Sequence, residues 1–290
     1  MLVEEKPKVK GKSEAPAMKA VRIHGYGHSG VLKYEDAPIP DILPDEVLVK
    51  VHAAGVNPVD WKIREGGRKG AYSFPLTLGW DVSGIIERVR SLVTLFQQGD
   101  MVIARSDVSR NGTYAEYIAV RAFELARAPK HVSLTEAAGI PLASQTAWEG
   151  LFEKGDLKRN DVVLIHGASG GVGMFAVQLA KIAGAHVIAT TSEKNSDFVK
   201  SLGADEVIDY KKEDFTKKVK DADVVFDTIG GETQAKSWQV IRKGGILVSI
   251  VGTDEKLAEQ HQVRTKVFMM TSNGSRLQAI VDIVDKGSCA

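Results

Sequence analysis

Residues 161–181 read DVVLIHGASGGVGMFAVQLAK, and the fold turns on this stretch. Val162–His166 is an unbroken apolar run of strand length. Gly167-Ala168-Ser169-Gly170-Gly171-Val172-Gly173 follows at once, and Val172–Ala183 has the apolar spacing of a helix. Strand, glycine-rich turn and helix in direct succession form the context in which a glycine triplet binds a dinucleotide. Gly170 lets the backbone approach a pyrophosphate, and Gly173 lets the helix pack tightly on the strand. The free amides at the helix N-terminus, at the positive end of its dipole, then hold the phosphates.

Downstream the same grammar repeats. His186–Thr190, Glu206–Ile208, Val224–Asp227, Ile246–Val251 and Lys266–Met270 read as further strands, with Asp197–Leu202 and Gln234–Ile241 as helices between them. This predicts an α/β unit with a doubly wound, parallel six-stranded sheet covered on both faces. The second strand ends Thr191-Ser192-Glu193-Lys194, where an NAD-binding chain places an acid for the ribose 2′-hydroxyl. Thr191 and Ser192 leave that edge uncharged, and Lys194 suits a 2′-phosphate. Glu193 turned inward favours NAD; as part of a solvated turn it leaves NADP preferred.

Upstream, from Met18 to about Ile140, short β-type runs alternate with Gly and Pro: MKAVRIHGYG, EVLVKVHAAGV, DVSGIIERV, DMVIAR, TYAEYIAV. They predict a mostly antiparallel β domain. The reading divides the chain into an N-terminal extension (1–17), a β domain (18–142), a dinucleotide-binding domain (143–275) and a short C-terminal segment (276–290). Residues 1–17, MLVEEKPKVKGKSEAPA, have no apolar core and read as disordered; the acidic residues argue against a mitochondrial leader, so cytoplasm is expected. In 290 residues, 38 basic and 37 acidic side chains are interspersed, which gives no field for nucleic acid or an anionic membrane. No apolar run approaches the roughly 18 residues of a membrane span. One cysteine, Cys289, forms no internal disulfide, and the seven histidines show no metal spacing.

Together these residues resemble the medium-chain dehydrogenase/reductase superfamily, in its zinc-free quinone oxidoreductase (zeta-crystallin-like) branch. The resemblance runs from Met18 to Gly287. Asn160 through Lys181 match the branch signature, including Asp161, Leu164, Gly170-Gly171, Gly173 and Gln178. Supporting stretches are Ala53–Asp60, Gly99-Asp100, Gly112–Tyr117, Leu202–Asp205 and Phe226–Gly231. The resemblance implies a GroES-like β domain joined to a Rossmann domain, with NADPH in the cleft between them. It places Asn57 and Thr146 as catalytic residues beside the nicotinamide and the substrate carbonyl. A turn-capping Asn before Pro58 and a buried helical Thr are the alternatives. It also carries Ala168, Ser169, Gly170, Gly171, Val172, Gly173, Thr191, Ser192, Lys194, Tyr210, Ile229, Val251 and Gly252 over as cofactor contacts, Tyr210 being otherwise a surface residue. Asp60 matches a buried structural acid. Trp61, Tyr72, Phe74 and Trp80 form an aromatic slot for a quinone ring or belong to the core.

Zinc-dependent relatives place a cysteine ligand where this chain has Asn57, and a His-Glu pair at Trp80-Asp81. Zinc needs about four Cys, His or carboxylate ligands around one point, so neither a catalytic nor a structural zinc is expected. Without a metal, ionising an alcohol is hard, whereas hydride transfer to a conjugated, electron-poor acceptor needs only orientation and a hydrogen-bond donor. The expected activity is therefore NADPH-dependent reduction of a quinone or α,β-unsaturated carbonyl. Alternatives are an enoyl-thioester reductase and a non-catalytic, crystallin-like NADPH-binding protein. The resemblance also implies a homodimer paired along the edge strand at Lys266–Met270. Relatives continue past the equivalent of Gly287, which implies loss here of a strand and helix over the β-domain edge.

Overall fold

The computed structural model describes residues 17–287 and 289. The expected N-terminal extension lies outside the described residues except for Ala17, which opens the first strand. The β domain contains β1 (Ala17–Ile23), β2 (Lys33–Pro38), β3 (Glu46–Gly55), β4 (Leu76–Thr77), β5 (Asp81–Val89), β6 (Met101–Arg105), β7 (Tyr117–Arg121) and β8 (Leu125–Arg127). Every pairing is antiparallel. One sheet has the order β7-β3-β5-β6-β8 and a smaller one β2-β1-β4. Val47, Val49, Val82, Ile86, Val102, Ala104, Ile118 and Val120 fill the interior of the larger sheet. Their spacing of two along each strand points them to one face, as the alternating runs require. Two short helices, α1 (Pro58–Arg64) and α2 (Leu134–Ala137), complete this domain, α2 packing on β3 and β5.

The chain crosses into the second domain through α3 (Pro141–Trp148), which continues as a π-helical turn over Glu149–Lys154. Six parallel strands follow: β9 (Val162–His166), β10 (His186–Thr191), β11 (Glu206–Asp209), β12 (Ala222–Asp227), β13 (Ile241–Ser249) and β14 (Arg264–Val267), in the order β11-β10-β9-β12-β13-β14. The covering helices are α4 (Gly171–Ile182), α5 (Ser196–Ser201), α6 (Gly231–Ser237) and α7 (Glu255–Gln260). Successive residues of β9 go to opposite faces. Val163 and Ile165 join a core with Ala176, Val177 and Ala180 of α4, whereas Leu164 joins one with Ile208, Phe215 and Trp238. Burial on both faces is why the strand reads as a continuous apolar run. Each such side chain contributes about 1.5–3 kcal/mol on burial.

The last helix, α8 (Gly274–Asp285), turns back onto the β domain. Gln278 Oε1 accepts from the Arg127 N–H at 2.9 Å, and Asp285 Oδ1 accepts from the Lys130 N–H at 2.7 Å. Arg276 on α8 holds Glu149 and Glu153 at 3.0 and 2.9 Å, with Arg276 and Glu149 both buried.

Two expected elements shift. The helix expected over Gln234–Ile241 is α6, which ends at Ser237, and Ile241 already pairs with Ala222 as the first residue of β13. Fully buried Trp238 anchors the turn between them, so the apolar residues after it belong to a turn and a strand rather than a helix face. The edge strand expected at Lys266–Met270 is centred earlier, on Arg264–Val267. Phe268 makes one last bond to Ser249 before the chain leaves for the β domain.

Candidate active site

A cavity of about 1010 Å³ opens outside the carboxyl ends of β9, β10, β11 and β12, where a doubly wound sheet binds ligands. Gly167, Ser169 and Gly170 form its floor, Thr191, Ser192, Lys194 and Asn195 one wall, Tyr210 and Lys211 another, and Thr228 and Ile229 the far side. A Cβ at Gly173 would overlap Gly167 O and stand 2.7 Å from Ala168 Cα, so only glycine lets α4 start this close to the loop. At Gly170 the nearest atom to such a Cβ is Gly167 O at 3.3 Å, which leaves its outer side free for a ligand. Gly171 is exposed, Val172 half-buried and Ala168 sealed, so Ala168 offers backbone only.

Ser169 Oγ accepts from both Thr191 Oγ1 and Asn195 Nδ2 at 3.0 Å, tying the glycine loop to the end of β10. Glu193 points away into an ion pair with Lys212 at 2.6 Å. The rim acids Glu213 and Glu232 are matched by Lys218 and Lys236, and Asp214 accepts from the N–H and hydroxyl of Thr216. Lys194 and Lys211 have no carboxylate within ion-pair distance among the described residues. Two uncompensated lysines beside uncharged hydroxyls form an anion site at the ribose end. Lys211 and Asn195 escaped the sequence reading, although Lys211 directly follows Tyr210 at a strand end. His166, beneath the loop, is fully buried between Thr190 Oγ1 and Ser237 Oγ, each at 2.9 Å. Burial pushes its imidazole down to about 4, so it is a neutral packed residue.

On the far side of the cavity, Asp227 Oδ1 accepts the N–H groups of Ile229 and Gly230, and Oδ2 accepts from Gln234 Nε2 at 2.7 Å and Ser249 Oγ at 3.2 Å. That carboxylate fixes the loops carrying Ile229 and Val251. Both side chains are about half exposed, at 55% and 46%, and so remain available to a ligand. Gly252, with φ of 147°, gives its carbonyl to Gln234 Nε2 at 2.7 Å.

The β domain contributes a compact polar cluster. Asn57 is extended, as a residue before proline should be, and caps α1. Its N–H donates to Asp60 Oδ2 and its Nδ2 to Asp81 Oδ2, at 2.7 and 2.9 Å. Tyr114 Oη donates to Asp60 at 2.7 Å, so Asp60 is the buried, paired acid that was expected. Burial raises the carboxyl of Asp60 and pushes that of Asp81 up to about 7, against the pull of Asn57, the Leu142 N–H and Arg105. Thr146 lies on α3, buried, and its hydroxyl donates to Leu142 O at 2.7 Å, which leaves it only an acceptor toward any ligand. Asp81 and Arg105 were not singled out as site residues. The acid in Gly79-Trp80-Asp81 was the available signal.

The expected aromatic slot needs one correction. Trp80 is fully buried, with its indole N–H on Arg110 O at 3.1 Å and its ring among Ile23, Ile63, Leu76, Leu78 and Val108. It therefore offers no surface to a substrate. Tyr72 packs on the same cluster with its hydroxyl on Val108 O, Phe74 lies edge-on to Tyr26, and Trp61 is exposed beside Lys62. The segment after β14 crosses to the β domain instead. Ser272 Oγ accepts from Arg105 Nη1 at 3.0 Å, and Met269 meets Arg68. Asn57, Trp80 and Asp81, the positions that the family resemblance sets against a zinc site, present an amide, a sealed indole and one carboxylate. This donor set does not fit a four-coordinate zinc. No other group of three or more His, Cys, Asp or Glu side chains suits a metal among the described residues, and no described helix is long and apolar enough to cross a membrane.

Residues 43–130 match the alcohol dehydrogenase GroES-like domain family and residues 171–283 the zinc-binding dehydrogenase family. The chain is 39% identical to 2-methylene-furan-3-one reductase of Solanum lycopersicum over 93% of its length and 70% of the relative's. It is also 39% identical to the NADPH-dependent alkenal/one oxidoreductase, chloroplastic, of Arabidopsis thaliana, with the same 93% and 70% coverage. The quinone oxidoreductase structure from Coxiella burnetii superposes with a TM-score of 0.88 at 33% identity, over 95% of this chain and 90% of that one.

Proposed function

The chain belongs to the medium-chain dehydrogenase/reductase superfamily, in its quinone oxidoreductase branch, and from that premise we propose that it uses NADPH to reduce quinones or α,β-unsaturated carbonyl compounds without a metal ion. One observation carries the choice of cofactor: Lys194 and Lys211 line the cavity with no carboxylate within ion-pair distance among the described residues, while Glu193 is paired with Lys212 and Asp214, the lining acid without an ion pair, is bonded to Thr216. The names of the tomato and Arabidopsis relatives support the acceptor class.

The parts proposed for each residue rest on the family resemblance together with the hydrogen bonds described above; Asn57 and Thr146 are not among the residues lining the cavity itself. The amides of the glycine loop and the start of α4 bind the pyrophosphate, and Lys194, Lys211 and Ser192 hold the 2′-phosphate. Thr146, its proton committed to Leu142 O, accepts from a carboxamide N–H. Bound NADPH would supply a hydride to the acceptor's electron-poor carbon, and water the proton that completes the reduction. The negative charge that follows is delocalised onto the acceptor oxygen, where the free N–H of the Asn57 amide stabilises it. Conjugation in the acceptor takes the place of a Lewis acid, which agrees with the donor set at Asn57, Trp80 and Asp81. A homodimer joined along β14, an exposed edge of the parallel sheet, and a cytoplasmic location complete the proposal.

The test is NADPH and NADH oxidation with 9,10-phenanthrenequinone, 1,4-benzoquinone and an alkenal, before and after exhaustive chelation. The proposal expects NADPH-preferring turnover that chelation leaves unchanged. NADPH quenching of tryptophan fluorescence without turnover of any acceptor would point to a cofactor-binding protein instead.

A further inference from the structure

Asp81 is a costly residue for its place. It opens β5 with 1% of its surface exposed, directly opposite Gly55 of β3 and Arg105 of β6. A buried carboxyl is expensive unless its oxygens are satisfied, and an apolar residue of similar size is commonly no worse for stability. The Leu142 N–H and Arg105 stabilise the carboxylate in part, but Oδ1 has no hydrogen-bond partner among the described residues, so its burial is incompletely compensated. What Oδ2 does is specific: it takes one hydrogen of the Asn57 amide at 2.9 Å. The neighbouring glycine serves the same approach, since a Cβ at Gly55 would overlap Ala138 O and come within 2.8 Å of Asp81 Cβ.

Two acids thus divide the control of Asn57. Asp60, held by Tyr114, fixes its backbone through the N–H, and Asp81 fixes the plane of its carboxamide. Without Asp81 the amide rotates about its last torsion, whose preference is broad and roughly two-fold, and presents oxygen or nitrogen to the cleft alike. Arg105, buried beside Asp81, donates to Ser272 Oγ at 3.0 Å and so ties the segment after β14 to the same cluster. We propose that Asp81 is a positioning residue for the reduction, holding the Asn57 carboxamide so that its remaining N–H stays available to the acceptor's carbonyl oxygen. This rests on the function proposed above.

The experiment compares Asp81→Ala, Asp81→Asn, Asn57→Ala and the double variant Asp81→Ala/Asn57→Ala, with NADPH and 9,10-phenanthrenequinone or an alkenal. Removing a single oxyanion donor costs about 100- to 1000-fold in kcat, so misplacing one predicts a loss of about 10- to 100-fold in Asp81→Ala. NADPH affinity, read by fluorescence quenching, stays within about twofold of the parent because the phosphate sites are untouched. Asp81→Asn keeps an acceptor oxygen for Asn57 and retains kcat within about fivefold, which also covers the case in which the alanine variant fails to fold. In the Asn57→Ala background, Asp81→Ala costs less than about twofold more. Multiplicative losses in the double variant, or Asp81→Asn as slow as Asp81→Ala, would overturn the proposal. A second readout needs no turnover: the side-chain amide signals of Asn57 in ¹⁵N-labelled protein should be dispersed, and should move to free-amide positions in Asp81→Ala. If the parent reduces no acceptor, the functional reading fails, and this signal alone decides the role of Asp81. Unmoved amide signals in Asp81→Ala reject it.

Discussion

Replacing Gly173 by alanine isolates the contact on which the nucleotide site is built. The added methyl would overlap Gly167 O and lie 2.7 and 2.9 Å from Ala168 Cα and C. All three atoms are backbone in the loop that must cradle the pyrophosphate, so no side chain can swing aside. Restoring ordinary contact moves the start of α4 off the loop by about 1 Å, a typical overpacking event costing about 1–3 kcal/mol of stability. The same shift spoils one or two charge-assisted bonds from amides to phosphate, each worth about 1.5–3 kcal/mol, so NADPH binding should weaken at least about tenfold and up to about 10⁴-fold. Gly170→Ala is the matched control. Its methyl meets only Gly167 O at 3.3 Å, so the free protein should melt within about 2 °C of the parent while NADPH binding still weakens. Fluorescence titration with NADPH and a thermal melt of each variant measure both quantities. Binding within twofold of the parent and an unchanged melting temperature for Gly173→Ala would mean that the loop and α4 do not need this close approach.

Lys194→Ala should weaken NADPH binding by about tenfold to a hundredfold and leave NADH binding within about twofold, with Lys211→Ala following in the same direction; equal losses for both cofactors would remove these lysines from the phosphate site. Glu124 is buried, and burial pushes its carboxyl up to about 7 against the Arg121 N–H. Its proton favours the folded chain, so its contribution is complete below its ordinary 4.5 and is lost as pH rises through about 7. Glu124→Gln should therefore gain stability relative to the parent between those values and hold a constant advantage above them; urea unfolding at several pH values reads this, and a pH-independent difference would contradict it. Arg276→Met removes the guanidinium from buried Glu149, which keeps Lys154 at 3.2 Å and the Thr271 N–H, and should cost about 2–3 kcal/mol, lowering the melting temperature by roughly 4–12 °C. A loss under about 1 kcal/mol would show the network to be dispensable.

The parts legible in the sequence are those set by local rules. β9 could be read to the residue because both its faces are buried, and Gly173 because strand and helix leave only one way to pack there. The capping alternative for Asn57 was legible from the proline after it, although the helix α1 that it caps was not. What stayed hidden depends on pairings between distant segments. Whether Trp80 faces a substrate or the core is decided by Ile23, Ile63 and Val108 closing around it, none of which adjoins it in sequence. The Asp81–Arg105 alignment is a matter of register between β5 and β6, and a one-residue slip would point both elsewhere. Glu193, ambiguous in the sequence, is turned outward by Lys212, nineteen residues away. The end of α6 was misplaced because Trp238 and Val240 extend the apolar pattern of a helix while serving a turn.

The most direct measurement uses NADPH carrying deuterium at C4, each epimer in turn, with an alkenal and protein stripped of metal. One epimer should transfer its deuterium to the β-carbon of the product, the α-hydrogen should come from water, and added zinc should change nothing. A product free of deuterium from both epimers, or turnover that appears only when zinc is restored, would contradict it.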